Sequence, residues 1–177
     1  MRKIITVFGS SVPVEGEVEY NLGYRLGKLL AENNFDVCTG GYEGIMSAVA
    51  KGAVEAGGQA IGITCSKQWE NKPNKYLTEQ IDVENIFERL KLLLYKADGF
   101  VVLNGSTGTL LELAAVWELL NKKLMPPKPF IILGDTWMEL YKLINKRMEF
   151  ESREKDLAYP ARNIFDCVEF LTKVISE

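Results

Sequence analysis

The sequence predicts an α/β fold, a doubly wound parallel sheet in one domain spanning residues 1–177. Three observations predict it. Short apolar runs alternate with segments of helical periodicity in the order β-α-β-α-β, joined by short links, an order that places helices on the faces of a parallel sheet. Gly-rich turns follow several of the apolar runs, at the positions where strands hand over to helices. The chain of 177 residues suits one core, and it contains no repeat, no low-complexity tract and no block of like charge.

Taken in order, "KIITVFG" (Lys3 to Gly9) reads as a buried strand rich in Ile and Val. "VEYNLGYRLGKLLAENN" carries Val18, Leu22, Leu26, Leu29 and Leu30 at helical spacing, with Asn33-Asn34 as its stop. "FDVCT" is a short strand, followed by the turn "GGYEG". "IMSAVAKGAVEA" is helical and ends at the Gly57-Gly58 pair. "QAIGIT" is the next strand, and the polar "CSKQWENKPNKYL" is a loop placed to lie over a site. "TEQIDV" is a short strand. Asn85 caps "IFERLKLLLYKA", whose Ile86, Leu90, Leu93, Leu94 and Ala97 form one buried face. "GFVVL" is a strand, and "GTLLELAAVWELLNKK" is a helix apolar enough to be buried on more than one side. Pro126-Pro127 ends that region. "PFIILG" is a strand, "TWMELYKLINKRMEF" an amphipathic helix, "ESREKD" with Pro160 a linker, and "DCVEFLTKVI" the final helix.

Composition narrows the chemistry. Hydrophobic residues make up 47% and charged residues 25%, as in a soluble globular chain. The net charge of −3 supplies no basic field for nucleic acid. The apolar run in "MRKIITVFGSS" is too short for a signal peptide or a membrane span, so a cytoplasmic protein without membrane contact is expected. Cys38, Cys65 and Cys167 are scattered, which gives neither a disulfide framework nor metal-ligand spacing. The chain has no His, which removes Ser-His-Asp and Cys-His catalysis and all His-based metal sites. Acid–base work falls to carboxylates, Lys, Tyr, Cys or water.

Ligands of open α/β sheets bind at the carboxyl ends of the strands. Three loops there are rich in Gly, Ser or Thr: "GSSVP" (with Gly9, Ser10 and Ser11), "GGYEG" (Gly40, Gly41 and Gly44, with Met46 just beyond) and "NGSTGT" (Gly105, Ser106, Thr107, Gly108 and Thr109). One such loop is more often a tight connection. Three on one rim favour a pocket for a phosphorylated ligand, with backbone amides and a helix N-terminus holding the anion. The pattern is neither a P-loop, since no Lys follows the second Gly, nor a dinucleotide fingerprint.

Glu112 has two readings. Thr109-Leu110-Leu111-Glu112 fits the T-x-x-E capping box, as Thr136 to Glu139 does, and Asn85 to Glu88 is similar. Alternatively, a carboxylate one turn above a phosphate site stands about 5 Å along the axis from it, near the sugar of a nucleotide. There it can stabilise positive charge on a ribose or orient water. Arg89 is its natural partner and can grip phosphate or carboxylate bidentately. On composition alone, a solvated Arg89 pairing with Glu84 or Glu88 is the simpler expectation.

The ordered set "FGSS", "TGGYEGIMSAVAKGAVEAGG", "ER" and "NGSTGTLLE" resembles the LOG (Lonely Guy) family from about Ile4 to Lys123. Against the family hallmark PGGxGTxxE, Gly105, Gly108, Thr109 and Glu112 match, whereas Asn104 replaces Pro and Ser106 replaces Gly. The family's Arg falls on Arg89, with Leu90 where a Lys usually follows. The resemblance implies a Rossmann-like fold and usually a homodimer, consistent with the apolar Leu110 to Leu120 segment. It implies hydrolysis of the N-glycosidic bond of an adenosine 5′-monophosphate, often N6-substituted as in cytokinin nucleotides, to free base and ribose 5-phosphate. Arg89 and Glu112 then occupy the catalytic positions, and no metal or organic cofactor is needed. The family's older label, lysine decarboxylase, gains no support, because nothing identifies a pyridoxal phosphate site. The chain is also similar to molybdenum-cofactor carrier proteins, which bind without hydrolysing. Single-strand DNA-binding relatives of the fold need a basic groove that an acidic chain does not offer.

Overall fold

The structure, a computed structural model, describes residues 2–68 and 71–176. Met1 and Glu177, and Trp69 and Glu70 of the polar loop, lie outside the described residues. Among the described residues, seven strands form one parallel sheet: β1 (Lys3–Phe8), β2 (Phe35–Thr39), β3 (Ala60–Thr64), β4 (Glu79–Asp82), β5 (Gly99–Val102), β6 (Phe130–Ile132) and β7 (Tyr159–Pro160). Six helices accompany them: α1 (Val18–Glu32), α2 (Ile45–Glu55), α3 (Ile86–Tyr95), α4 (Thr107–Asn121), α5 (Asp135–Phe150) and α6 (Ile164–Ser176). The result is a Rossmann-like α/β fold.

Each inner strand is buried on both faces, and its side chains alternate between two cores. Ile5, Val7, Val37, Val101 and Ile131 pack under α1, α2 and α6. Phe8, Cys38, Ile61, Ile63, Phe100, Val102 and Ile132 pack under α3, α4 and α5. Such double burial explains why the strands read as continuous apolar runs.

The strand order is β4-β3-β2-β1-β5-β6-β7. The chain winds outward from β1 to the edge at β4, then returns through α3 to lay β5 on the other side of β1, in the register Ile5↔Gly99 to Phe8↔Val102. This reversal leaves the loops after β1 and β5 diverging from adjacent strand ends, which is where a crevice opens in such sheets. The loops remain tied, for Ser10 N donates to Asn104 O at 2.9 Å.

Several local expectations hold. Asn33 and Asn34 end α1, with Asn34 at φ 66°, and Gly57 at φ 81° follows α2, where Gly58 N returns to Ala53 O. Asn85 Oδ1 caps α3 by accepting from Phe87 N and Glu88 N. Others need correction. The region read as a linker contains β7, which pairs with β6 in the register Ile132↔Pro160. Proline is tolerated there because β7 is an edge strand. α4 is not buried on two sides within the chain. Leu113, Val116 and Trp117 face the core, while Leu110 and Leu111 are 39% and 43% exposed. Among the described residues, no helix is long and apolar enough to cross a membrane.

Candidate functional site

A pocket of about 220 Å³ opens at the β1/β5 reversal. It is lined from one side by Gly9, Ser10 and Ser11, from another by Gly40, Tyr42 and Met46, and from a third by Ser106, Gly108 and Thr109. Arg89 and Glu112 complete it, so two side chains from α3 and α4 meet beneath the three loops.

Arg89 is not the solvated surface residue expected from composition. It is only 6% exposed, and it reaches over the sheet's edge of carbonyls. Its Nε donates to Ile63 O at 2.7 Å and its Nη2 to Gly40 O at 3.0 Å. Its guanidinium also lies 5.6 Å from the Tyr42 ring centre. The third nitrogen, Nη1, stands 3.7 Å from Glu112 Oε1. Gly40 makes this possible, since a Cβ there would overlap Arg89 Nη2 and lie 2.7 Å from Met46 Sδ.

Glu112 does not close a capping box. α4 begins at Thr107 with Ser106 as its N-cap, so Thr109 is already inside the first turn and Glu112 lies a turn further on. Its side chain is 13% exposed and faces Arg89. Burial pushes its carboxyl up to about 7, against a partial opposing pull from the Arg89 charge. The carboxyl therefore changes charge near neutral pH, unlike a solvated glutamate.

The helix N-termini on this rim are not equivalent. Glu19, Glu88 and Asp135 place acidic side chains in the first turns of α1, α3 and α5. α2 has none, but its first amide, Ile45 N, donates to Ser10 O at 2.8 Å. α4 has no acidic residue in its first turn, and Ser106 makes no side-chain capping bond. Its first amides are thus available to an anion. Gly108 is open above them, for a Cβ there would meet nothing within 4 Å.

Of the residues singled out in the sequence, Gly9, Ser10, Ser11, Gly40, Met46, Arg89, Ser106, Gly108, Thr109 and Glu112 line the pocket. Gly41, Gly44, Gly105 and Thr107 do not. Gly44, at φ 72°, lets α2 start against the first loop, because a Cβ would overlap Ser10 O and Ser11. These two loops therefore touch, and the open space lies beside Gly9, Gly40 and Met46 rather than between them. Gly105 packs on Thr109, Gly41 on Thr64, and Thr107 is exposed at the start of α4. Val7, Phe8, Tyr42 and Asn71 also line the pocket and were not singled out. Asn71 belongs to the polar loop after β3, whose composition was the available signal. That loop is pinned by Asn74, whose Nδ2 donates to Tyr42 O at 2.9 Å.

Fold and site together define a Rossmann-like domain with a pocket at the sheet reversal. The SLOG cluster4 family model matches residues 2–152, and the chain belongs to this LOG-like family. A cytokinin riboside 5′-monophosphate phosphoribohydrolase of Rhodococcoides fascians is 28% identical over 138 residues, covering 75% of this chain and 68% of that protein. Among solved structures, the molybdenum cofactor binding protein of Rippkaea orientalis superposes with a TM-score of 0.76 at 24% identity, covering 99% of this chain and 98% of the other. The Moco carrier protein of Chlamydomonas reinhardtii superposes with a TM-score of 0.78 at 21% identity, covering 99% of each chain. At these identities the structural likeness shows the fold.

The Glu112 carboxyl links stability to pH. Below about 4.5 it is protonated whether the chain is folded or not, and burial carries no penalty. Between about 4.5 and about 7 the folded state holds the proton and the unfolded state does not, so stability falls as pH rises. Removing the titration by Glu112→Gln should shift relative stability toward the variant by on the order of 3 kcal/mol between pH 4 and pH 8. Urea unfolding of both proteins across that range measures it, and parallel profiles would contradict a raised carboxyl.

Proposed function

We propose that this protein hydrolyses the N-glycosidic bond of a nucleoside 5′-monophosphate of the adenosine type, releasing free base and ribose 5-phosphate. The observation that carries the proposal is the buried Arg89–Glu112 pair set beside the N-terminus of α4, whose first turn carries no acidic side chain and whose N-cap makes no side-chain bond. The named activity of the Rhodococcoides fascians relative supports the same reading.

In this reading the 5′-phosphate lies on the α4 N-terminus between Ser106 and Thr109, where the amides and helix dipole favour an anion. The ribose lies over Glu112. As the bond between C1′ and the base nitrogen breaks, its electron pair leaves with the base, and positive charge builds on the ribose ring. The ionised carboxylate of Glu112 stabilises that charge and orients a water. The water oxygen bonds to C1′, one of its protons passes to the carboxylate, and the leaving base takes a proton from solvent. Arg89 is anchored by two strand-end carbonyls and so holds Glu112 in one place. The base occupies the space beside Gly9, Gly40 and Met46. No step uses a metal or an organic cofactor. We also infer a homodimer through the exposed Leu110 and Leu111 face of α4, and a cytoplasmic setting for the reaction.

Purified protein incubated with AMP and with N6-isopentenyl-AMP should release free base, quantified by chromatography. Glu112→Gln should lower kcat by at least about 100-fold while still binding nucleotide. Wild-type kcat should rise with pH through about 7, because the ionised carboxylate is the working form. Saturable binding without base release would make the protein a carrier or sensor instead.

Gly108→Ala separates the phosphate site from the fold. Alanine is the better helix former by about 1 kcal/mol, and nothing crowds the new methyl, so stability should hold or rise. AMP affinity should fall, because the methyl stands over the amides that hold the phosphate. Calorimetric titration checks this, and unchanged affinity would move the phosphate elsewhere. For the dimer, sedimentation at micromolar concentration should give twice the 19.9 kDa chain mass, and Leu111→Asp should return it to the chain mass. A monomeric wild type would remove α4 as an interface.

A further inference from the structure

The residue in the family's proline position has an unusual set of partners. Asn104 stands at the end of β5, where the chain turns toward α4. Its backbone O accepts from Ser10 N at 2.9 Å, at the start of the loop after β1. Its side-chain Nδ2 donates to Glu19 Oε1 at 2.9 Å, in the first turn of α1, where that same loop ends. Its Oδ1 accepts from Thr136 N at 3.2 Å, in the first turn of α5. The N-cap of α5 is Gly134, which has no side chain to offer, so Asn104 does the capping from another loop. A Cβ on Gly134 would overlap Asn104 Oδ1, so the two loops are in direct contact. The amide orientation follows from its partners, since a backbone N–H requires an acceptor and a carboxylate requires a donor.

We propose that Asn104 is a positioning residue that sets the width of the pocket. It grips the loop after β1 at both ends, through Ser10 and through Glu19, and holds that loop against α5. Ser10 and Ser11 form one wall of the pocket, and Ser106, Gly108 and Thr109, on the segment that follows Asn104, form another. A proline could rigidify the turn through its ring but could make neither side-chain bond. In this chain the two walls are therefore joined by a polar staple. The proposal rests on the nucleotide reading only for what the pocket holds; the staple itself is independent of it.

The test uses Asn104→Asp, Glu19→Gln and the double variant. Asn104→Asp keeps the acceptor for Thr136 N but sets a carboxylate against Glu19. Glu19→Gln alone preserves an acceptor for the Asn104 amide. The double variant restores a donor–acceptor pair with its direction reversed. Amide hydrogen exchange, measured without ligand, should quicken across residues 10–17 and at 104–109 in Asn104→Asp, stay near wild type in Glu19→Gln, and recover in the double variant. AMP titration should follow the same order, with affinity roughly ten-fold weaker in Asn104→Asp and recovered in the double variant. In turnover the loss should fall on KM rather than kcat, because Arg89 and Glu112 are untouched. Unchanged exchange in Asn104→Asp, or a double variant that recovers thermal stability but neither exchange nor affinity, would overturn the staple. If wild type binds no AMP while the exchange pattern holds, the nucleotide reading fails and the staple stands.

Discussion

A buried guanidinium must find its acceptors inside the protein, and the site is organised around that requirement. Arg89 obtains them from the ends of two neighbouring strands, Ile63 O on β3 and Gly40 O just past β2. Both lie just past the last paired residues of the β2–β3 ladder, Thr39↔Gly62. Position 40 must lack a side chain for the guanidinium to fit, and the chain must carry α3 back across the sheet to deliver it. Unpaired burial of either partner of an ion pair is costly, so Arg89 and Glu112 hold one another in place as much as they attract.

The pair is separated by 3.7 Å, longer than a tight salt bridge, and this sets its electrostatics. Desolvation of the carboxyl outweighs the pull of the guanidinium. A carboxyl that titrates near neutral pH can, in its ionised form, stabilise positive charge or accept a proton. Compensation is thus incomplete: a better-paired Glu112 would stay ionised to lower pH. The same burial that raises the carboxyl weakens the folded state as pH rises.

Much of the fold was legible in the sequence. Ile and Val runs marked the inner strands, apolar residues at helical spacing marked α1 and α3, and the Asn34 and Gly57 stops fell where left-handed backbone ends a helix. Asn85 was legible as a cap because its partners are two and three residues away. Where local rules failed, a distant contact had intervened. Thr109 and Glu112 carry a capping pattern, but the close packing of Gly105 against Thr109 accompanies a helix start two residues earlier. Thr136 carries the same pattern, and the amide there is capped by Asn104, over thirty residues away. Tyr159-Pro160 is too short and too proline-bound to read as a strand, and it becomes one only because β6 offers an edge.

By itself the sequence determined every element but β7, their order, the three Gly-rich loops and the absence of histidine chemistry, because periodicity, turn residues and composition act over a few neighbouring positions. Only the tertiary structure decided that Arg89 is buried rather than solvated, that Arg89 and Glu112 meet beside the N-terminus of α4, and that Asn104 joins the loop after β1 to the start of α5. Each of these depends on which strand ends become neighbours when the chain reverses between β4 and β5. That adjacency arises from packing two cores on opposite faces of one sheet, and no local pattern of residues encodes it.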